Sequence, residues 1–175
     1  MADVESMFHQ VHVSLNDCDA LRFLWWPNND LNSEPEEYQM VVHRFGTTSS
    51  PSCANFGLRR TAEDNCQELS KEAVDSVKDN FYVDDCLQSV PSETKAIGLV
   101  DERRSLLSKG GFRLTKWISN SCKVIDSIAL SERAGSMKDL LLNQLPFERA
   151  LGVRWDVKSN TFGFKISVKD RPATR

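Results

Sequence analysis

Alternating and clustered apolar positions predict short strands along much of the chain. The apolar run at residues 21–26 closes at the turn signal 27–29, and residues 38–45 alternate between two faces, so these two segments predict a hairpin. Further strands are predicted at residues 2–13, 81–90, 112–119, 149–155 and 161–168. Residues 81–90 form a predicted hairpin with Asp84 and Asp85 at its tip, the last two strands form another, and residues 120–147 stay ambiguous.

Helical spacing of apolar residues predicts three helices. They span residues 52–65, Lys71–Asp79 and residues 92–109. Ser92 is the predicted N-cap of the third helix, and the pair Gly110-Gly111 ends it. The order of strands and helices predicts an α+β fold, with an antiparallel sheet and helices packed on one face.

Composition narrows the class of protein. The 175 residues fit one domain, and an apolar fraction of 40% is enough for a core. No apolar run approaches the roughly 20 residues that a membrane-spanning helix needs, so no membrane partner is expected. The five cysteines are scattered without a Cys-x-x-Cys pair, which argues against a zinc site or a disulfide framework.

Charge is distributed unevenly along the chain. The formal net charge of −3 speaks against a general nucleic-acid binder. Residues 103–123 nevertheless contain several basic side chains and no Asp or Glu, whereas the segment around Asp84 is acidic. An acidic centre beside a basic flank suits a site for divalent cations and a phosphate backbone. Ordinary surface charge is the alternative.

The string Tyr82-Val83-Asp84-Asp85 carries the clearest candidate chemistry. Two adjacent carboxylates repel each other, which disfavours the ionised form of at least one. A divalent cation such as Mg²⁺ removes this penalty, because it prefers carboxylate oxygens as ligands. An ordinary Asp-Asp turn is the alternative, since Asp is a common turn residue.

Two further elements would complete a two-metal site. Phosphoryl transfer with two metals needs a carboxylate from a separate strand, and Asp3 is the candidate; a solvated terminal acid is the alternative. Residues 45–51 place Gly46 and small hydroxyl side chains before a helix, where backbone N–H groups can receive a ligand. A helix-capping loop without a ligand is the alternative.

Taken in order, these motifs resemble the reverse transcriptase family, and its Pao/BEL retrotransposon branch in particular. The resemblance covers almost the whole chain. Residues 2–8 are similar to the first catalytic strand of the palm, and residues 20–27 are typical of the Pao branch. The other matching motifs are the loop and helix start at 46–55, the Tyr-Val-Asp-Asp hairpin at 82–85, the strand motif at 110–120 and the hairpin at 151–155.

The resemblance implies a polymerase palm-like sheet and an RNA-directed DNA polymerase. Asp3, Asp84 and Asp85 would be the catalytic residues and would hold two Mg²⁺ ions, or Mn²⁺, for nucleotidyl transfer from a dNTP to a primer 3′-hydroxyl. Phe8 would be a steric gate under the sugar. The other substrate contacts would be Gly46, Ser50, Pro51, Tyr82 and Lys116, and the primer grip would contain Gly152 and Trp155. Ordinary packing is the alternative for Phe8 and Trp155, and a solvated side chain is the alternative for Lys116.

The same resemblance sets expectations for organisation and partners. Residues 1–148 would be a palm that lacks its N-terminal fingers, and residues 149–175 would be a primer-grip-like hairpin and the start of a connection to a thumb. The partners would be an RNA or DNA template-primer, dNTPs and the rest of the retrotransposon polyprotein, in a cytoplasmic virus-like particle. Two alternatives stay open: a truncated, inactive remnant, and a non-enzymatic domain that binds nucleic acid or protein.

Overall fold

Short strands and four helices make up the described part of the fold. The computed structural model describes residues 1–138, 147–150 and 153–164. Its strands are β1 (Ala2–Val4), β2 (Arg22–Trp25), β3 (Glu36–Gln39), β4 (Phe81–Tyr82), β5 (Asp85–Cys86), β6 (Leu114–Thr115), β7 (Phe147–Ala150), β8 (Val153–Asp156) and β9 (Thr161–Gly163). Its helices are α1 (Ser50–Asp64), α2 (Lys71–Asp79), α3 (Glu93–Ser108) and α4 (Cys122–Asp126). The predicted α+β class is therefore confirmed.

The strands are divided among three small antiparallel sheets. The first sheet has the order β4-β5-β1-β6, so β1 lies between two strands that come much later in the chain. β2 pairs with β3 in a separate hairpin, and β7, β8 and β9 form a third sheet. A hairpin is present where one was predicted, but its second strand is Glu36–Gln39 rather than residues 38–45, so the predicted bounds of that strand are wrong. The single sheet expected from the sequence is replaced by these three.

Two of the long helices begin as their sequences predict. The Ser70 hydroxyl caps α2 by accepting the N–H of Ala73 at 3.2 Å. Ser92 caps α3 by accepting the N–H of Lys95 at 3.3 Å. Each cap satisfies one of the backbone donors that a helix leaves open at its start. The predictions of α2 and of the N-cap of α3 are confirmed.

The core lies between the first sheet and the helices. Ala2 and Val4 of β1 are each only 1% exposed, so one face of the strand is buried. Successive side chains of a strand point to opposite faces, which places Asp3 on the face away from this core. Leu58 of α1 and Leu106 of α3 belong to the same buried cluster. The register of β1 therefore separates the apolar core from the acidic face.

Two predicted strands are much shorter than the apolar pattern indicates. The 2–13 strand is reduced to β1, because Ser6 adopts φ 49° and a 3₁₀ helix (Met7–Gln10) follows. The 112–119 strand is reduced to β6, because Lys116 adopts φ 51° directly after it. A residue in the left-handed region cannot continue a strand. Both predictions of long strands are wrong.

Other boundaries differ by a few residues. α1 begins at Ser50 rather than at residue 52, because Pro51 suits the first turn of a helix. Of the predicted 161–168 strand, residues 165–168 lie outside the described residues, and the expected boundary between residues 148 and 149 falls within β7. Within the described ranges, no helix has both the length and the apolar character needed to cross a bilayer.

Candidate functional site

Strand register brings Asp3 and Asp85 together. In the pairing of β1 with β5, Asp3 lies directly opposite Asp85, and on its other side Asp3 lies opposite Thr115 of β6. Side chains directly opposite in an antiparallel pair have Cβ atoms about 4.5–5.5 Å apart. Two residues that are 82 positions apart in the chain thus share one face of the sheet.

The turn between β4 and β5 holds Asp84 beside this pair. The turn consists of Val83 and Asp84, and Val83 adopts φ 55°. A β-branched residue in the left-handed region is a strained conformation, which persists only where surrounding contacts impose it. One such contact is the N–H of Val4, which donates to the Asp84 carbonyl at 2.8 Å. A hairpin is present as predicted, but it spans residues 81–86 rather than 81–90, and of the two aspartates only Asp84 lies in the turn, since Asp85 begins β5.

The pKa of Asp85 responds to the carboxylates of both Asp84 and Asp3. Partial burial raises the pKa of Asp85, and the carboxylates of Asp84 and Asp3 raise it further. The ammonium group of Lys116 acts in the opposite direction and lowers the pKa of Asp85. The site therefore carries excess negative charge, and an added cation would lower its free energy.

Lys116 is the positive group nearest to this charge. Its Nζ lies 3.1 Å from Oδ1 of Asp3, and the two side chains form an ion pair. Lys116 directly follows β6, and its left-handed backbone ends that strand beside Asp3. Lys116, predicted to contact substrate, thus contacts a catalytic candidate.

Carboxylate oxygens are the donor type that Mg²⁺ and Mn²⁺ take in proteins. In the part of the chain that the structure describes, no three or more His, Cys, Asp or Glu side chains are gathered as a ready set of metal ligands. Asp3 is paired with Lys116 in this arrangement. The carboxylate donors suit a hard divalent cation, and the repulsion that raises the pKa of Asp85 is what such a cation would relieve.

The basic flank at residues 103–123 is largely neutralised within the protein. Arg104 pairs with Glu132 at 2.6 Å and Arg113 pairs with Glu5 at 3.0 Å. The other ion pairs of this flank join Arg113 also to Glu132, Lys109 to Glu68, Lys116 to Asp3 and Lys123 to Glu93. Ordinary pairing of surface charge therefore accounts for these basic side chains, and a phosphate backbone would have to compete with the carboxylates.

One aromatic side chain lies on the acidic face, and two others pack against each other at the loop before α1. Tyr82 of β4 lies opposite Asp85 and is 69% exposed. Phe8 is only 5% exposed and packs edge-on against Phe45, with ring centroids 4.7 Å apart. Phe45 is itself 64% exposed. The exposed ring at this position is therefore Phe45, and Phe8 has the environment of a core residue.

The loop before α1 is held by its own hydroxyl group. The Ser50 side chain is fully buried; its hydroxyl donates to the carbonyl of Arg44 at 2.8 Å and lies 3.3 Å from Nδ1 of His43. Gly46 adopts φ 84°, and an added Cβ would meet no atom within 4 Å. Gly46 thus lies at an open surface, whereas Ser50 has an internal structural role. Pro51 lies in the first turn of α1.

Of the two residues expected in the primer grip, the structure describes only Trp155. Trp155 of β8 is 5% exposed, donates its indole N–H to Oδ1 of Asn160 at 3.2 Å and stacks on Phe162. This is the packing alternative that the sequence leaves open. Gly152 lies outside the described residues.

Sequence reasoning missed the left-handed turn residue Val83 and the exposed ring of Phe45. No sequence signal marks Val83, because a β-branched residue is disfavoured at positive φ. For Phe45 a signal was present, since an aromatic residue directly before Gly46 lies in the loop already singled out. No protein-family model matches the chain, and a comparison with curated proteins also finds no match.

Proposed function

We propose that this chain is the palm portion of a reverse transcriptase of the Pao/BEL retrotransposon type. The proposal is carried by one observation: Asp3 lies opposite Asp85 across β1 and β5, with Asp84 in the adjoining turn. Two-metal nucleotidyl transfer would use these three carboxylates, with the side chains of Asp3 and Asp84 turning towards the metals when they bind. The antiparallel order β4-β5-β1-β6, with helices beside it, supports a palm-like arrangement.

In this proposal Asp3, Asp84 and Asp85 hold two Mg²⁺ or Mn²⁺ ions. Bound there, the ions would activate the primer 3′-hydroxyl and stabilise charge on the triphosphate of the incoming dNTP. Lys116 neutralises Asp3 until a cation binds and is then free to face a phosphate oxygen. Tyr82 offers an exposed ring beside Asp85 for packing against the primer end.

The proposed partners follow from the same function. They are an RNA or DNA template-primer, dNTPs and the remaining segments of the retrotransposon polyprotein, within a cytoplasmic virus-like particle. The steric gate was expected at Phe8. We propose that Phe8 and Phe45 form it together, because their rings are packed and Phe45 is the exposed one.

A titration of the chain with Mn²⁺, followed by calorimetry, tests the site without requiring turnover. The wild-type chain is expected to bind Mn²⁺ saturably, and Asp84→Asn should weaken binding by about tenfold or more, a free-energy loss of about 1.4 kcal/mol. Asp101→Asn is the matched control, because Asp101 is an exposed aspartate of α3. Equal affinity in the wild-type chain and Asp84→Asn would overturn the assignment.

Primer extension on an RNA template with dNTPs and Mn²⁺ tests the reaction itself. Incorporation that is lost in Asp84→Asn and kept in Asp101→Asn supports the polymerase. Incorporation that survives Asp84→Asn contradicts it. Nucleic-acid binding that is unchanged in Asp84→Asn, without Asp84-dependent synthesis, would instead favour the non-enzymatic binding domain.

A further inference from the structure

A cavity of about 540 Å³ lies behind the acidic sheet. Ala2 and Cys86, the strand neighbours of Asp3 and Asp85, are among its lining residues. Because side chains alternate along a strand, the cavity is on the face of β1 and β5 opposite to the carboxylates. Its volume is in the range of pockets that bind small molecules.

The apolar part of the lining comes from two elements. Leu99 and Val100 of α3 line one part, and Trp155 and Phe162 of the third sheet line another. The two rings are stacked with centroids 6.0 Å apart. Such a surface suits the flat apolar body of an aromatic molecule.

Arg103 of α3 supplies a buried positive charge to the same cavity. Its side chain is 6% exposed, its Nε donates to the Ser76 hydroxyl at 2.7 Å, and its Nη1 lies 3.6 Å from the Cys86 sulfur. Its Nη2 is buried and has no hydrogen-bond partner among the described residues. A buried guanidinium with an incomplete set of partners is costly.

The neighbouring groups do not neutralise Arg103. Burial raises the pKa of Cys86, so its thiol stays protonated near neutral pH and brings no negative charge. Glu72, whose charge acts on Arg103, is itself paired with Lys95 at 2.9 Å. Glu93, which lines the cavity, pairs with Lys123 at 3.0 Å.

Two more buried polar atoms lie in residues that line the cavity. Nε1 of Trp117 and Oε1 of Gln88 have no hydrogen-bond partner in the part of the chain described. Trapped water can supply hydrogen bonds to such atoms, but it cannot supply the negative charge that Arg103 lacks. An anionic ligand supplies that charge and can accept hydrogen bonds from the two donors, Nη2 of Arg103 and Nε1 of Trp117, whereas the acceptor Oε1 of Gln88 needs a donor such as water.

We propose that this cavity binds a small aromatic carboxylate, with its ring against Trp155 and Phe162 and its carboxylate towards Arg103 and the indole N–H of Trp117. The proposal is independent of the polymerase assignment, because none of its residues belongs to the acidic face. It makes this a second ligand site of the chain, behind the strands that carry the candidate catalytic residues.

Calorimetry on the full chain with benzoate, 2-naphthoate and biphenyl-4-carboxylate, each beside its neutral amide, tests the proposal. At least one acid is expected to bind saturably and about tenfold more tightly than its amide. In ¹⁵N-labelled protein the indole N–H signals of Trp117 and Trp155 should shift. Those of Trp25 and Trp26, which lie at the separate β2–β3 hairpin, should not.

Two variants and one control variant connect binding to the cavity. Ala96→Phe fills space along the lining and should abolish binding, whereas Ser105→Phe places the same ring at an exposed position of α3 and should leave it unchanged. Arg103→Gln should erase the preference for the acid over the amide. If Arg103→Gln does not fold, as judged by circular dichroism, the comparison of acid with amide and Ala96→Phe decide the matter.

Three results would overturn the proposal. They are the absence of saturable binding by all three acids, equal affinity for acids and amides, and binding that Ala96→Phe leaves intact. Equal affinity would show an apolar pocket without anion selectivity, and intact binding would place the ligand elsewhere.

Discussion

Asp85 receives its unusual environment from strand register rather than from its sequence neighbour alone. Asp84 is adjacent in the chain, but Asp3 acts on Asp85 only because β1 and β5 pair with these two residues opposite each other. Both carboxylates and partial burial raise the pKa of Asp85. At neutral pH the ionised side chain therefore costs stability, which is common where binding groups are held ready for a cation.

Asp85→Asn is expected to stabilise the chain at pH 7 and to have little effect at acidic pH. The pKa of Asp85 is raised by folding, so its contribution to stability is fully present below the ordinary Asp value and is lost as pH rises through the raised value. We expect a gain of only about 0.5 kcal/mol at pH 7, because solvent screens this half-exposed carboxylate. Urea unfolding of both forms at pH 3 and pH 7 measures it. A loss of stability at pH 7, or an equal gain at both pH values, contradicts the assignment.

Lys116→Met tests whether the lysine competes with a metal ion for Asp3. Removing the ammonium, which lies 3.1 Å from Asp3, should raise the pKa of Asp85 further and tighten Mn²⁺ binding by about threefold or more. Carboxyl ¹³C titration and calorimetry measure the two effects. Lys138→Met, at an exposed lysine, is the control. Weaker Mn²⁺ binding in Lys116→Met would show that Lys116 supports the cation site instead of competing for it.

At the scale of single elements, the helices were predictable and the strand ends were not. Ser70 and Ser92 mark the starts of α2 and α3, because an N-cap acts through local hydrogen bonds and requires no knowledge of the rest of the fold. The strands end at Ser6 and Lys116, residue types that do not usually adopt positive φ. The proximity of Asp3 to Asp85 depends on long-range register, so it was predicted only from the needs of a two-metal site and from the resemblance of the motifs.

Gly110, two residues after α3, lies directly against Thr61 of α1, so a substitution there tests how tightly these helices pack. A Cβ added at Gly110 would lie 2.0 Å from Oγ1 of Thr61, and that hydroxyl donates to the carbonyl of Gly57 in α1. Gly110→Ala should therefore destabilise the chain by about 1–3 kcal/mol. Urea unfolding measures the change.

Gly98→Ala is the matched control for Gly110→Ala, because an added Cβ at Gly98 meets nothing within 4 Å inside α3. It should stabilise the chain by about 0.5–1 kcal/mol, since alanine favours helix over glycine. Thr61→Ala should also reduce the cost of Gly110→Ala, because it removes the clashing hydroxyl. An unchanged cost in the double variant would show that backbone strain, rather than the clash, sets the effect.

At the scale of the whole molecule, two side chains join the described 153–164 segment to the core. Trp155 and Val157 are the residues of the 153–164 segment in the buried cluster, and Val157 is fully buried. The β2–β3 hairpin presents exposed apolar side chains, including Leu24 at 64% and Trp25 at 50%. The described parts of the chain thus range from a well-packed centre to a peripheral hairpin that the core does not cover.

Trp155→Ala should detach the third sheet while the first sheet and its helices stay folded. The substitution removes a side chain that is 5% exposed, together with its stack on Phe162 and its hydrogen bond to Asn160. A loss of about 3–5 kcal/mol is typical for a buried Trp→Ala change. Because Trp155 and Val157 are the only described side chains of the 153–164 segment in the buried cluster, the loss should appear as local opening. Hydrogen exchange should therefore accelerate in β8 and β9 but not in α1 or α3.

Phe162→Ala is the control, since that ring is 56% exposed and its removal should cost less than about 1 kcal/mol. Equal acceleration throughout the helices in Trp155→Ala would show instead that the third sheet and the core unfold as one unit.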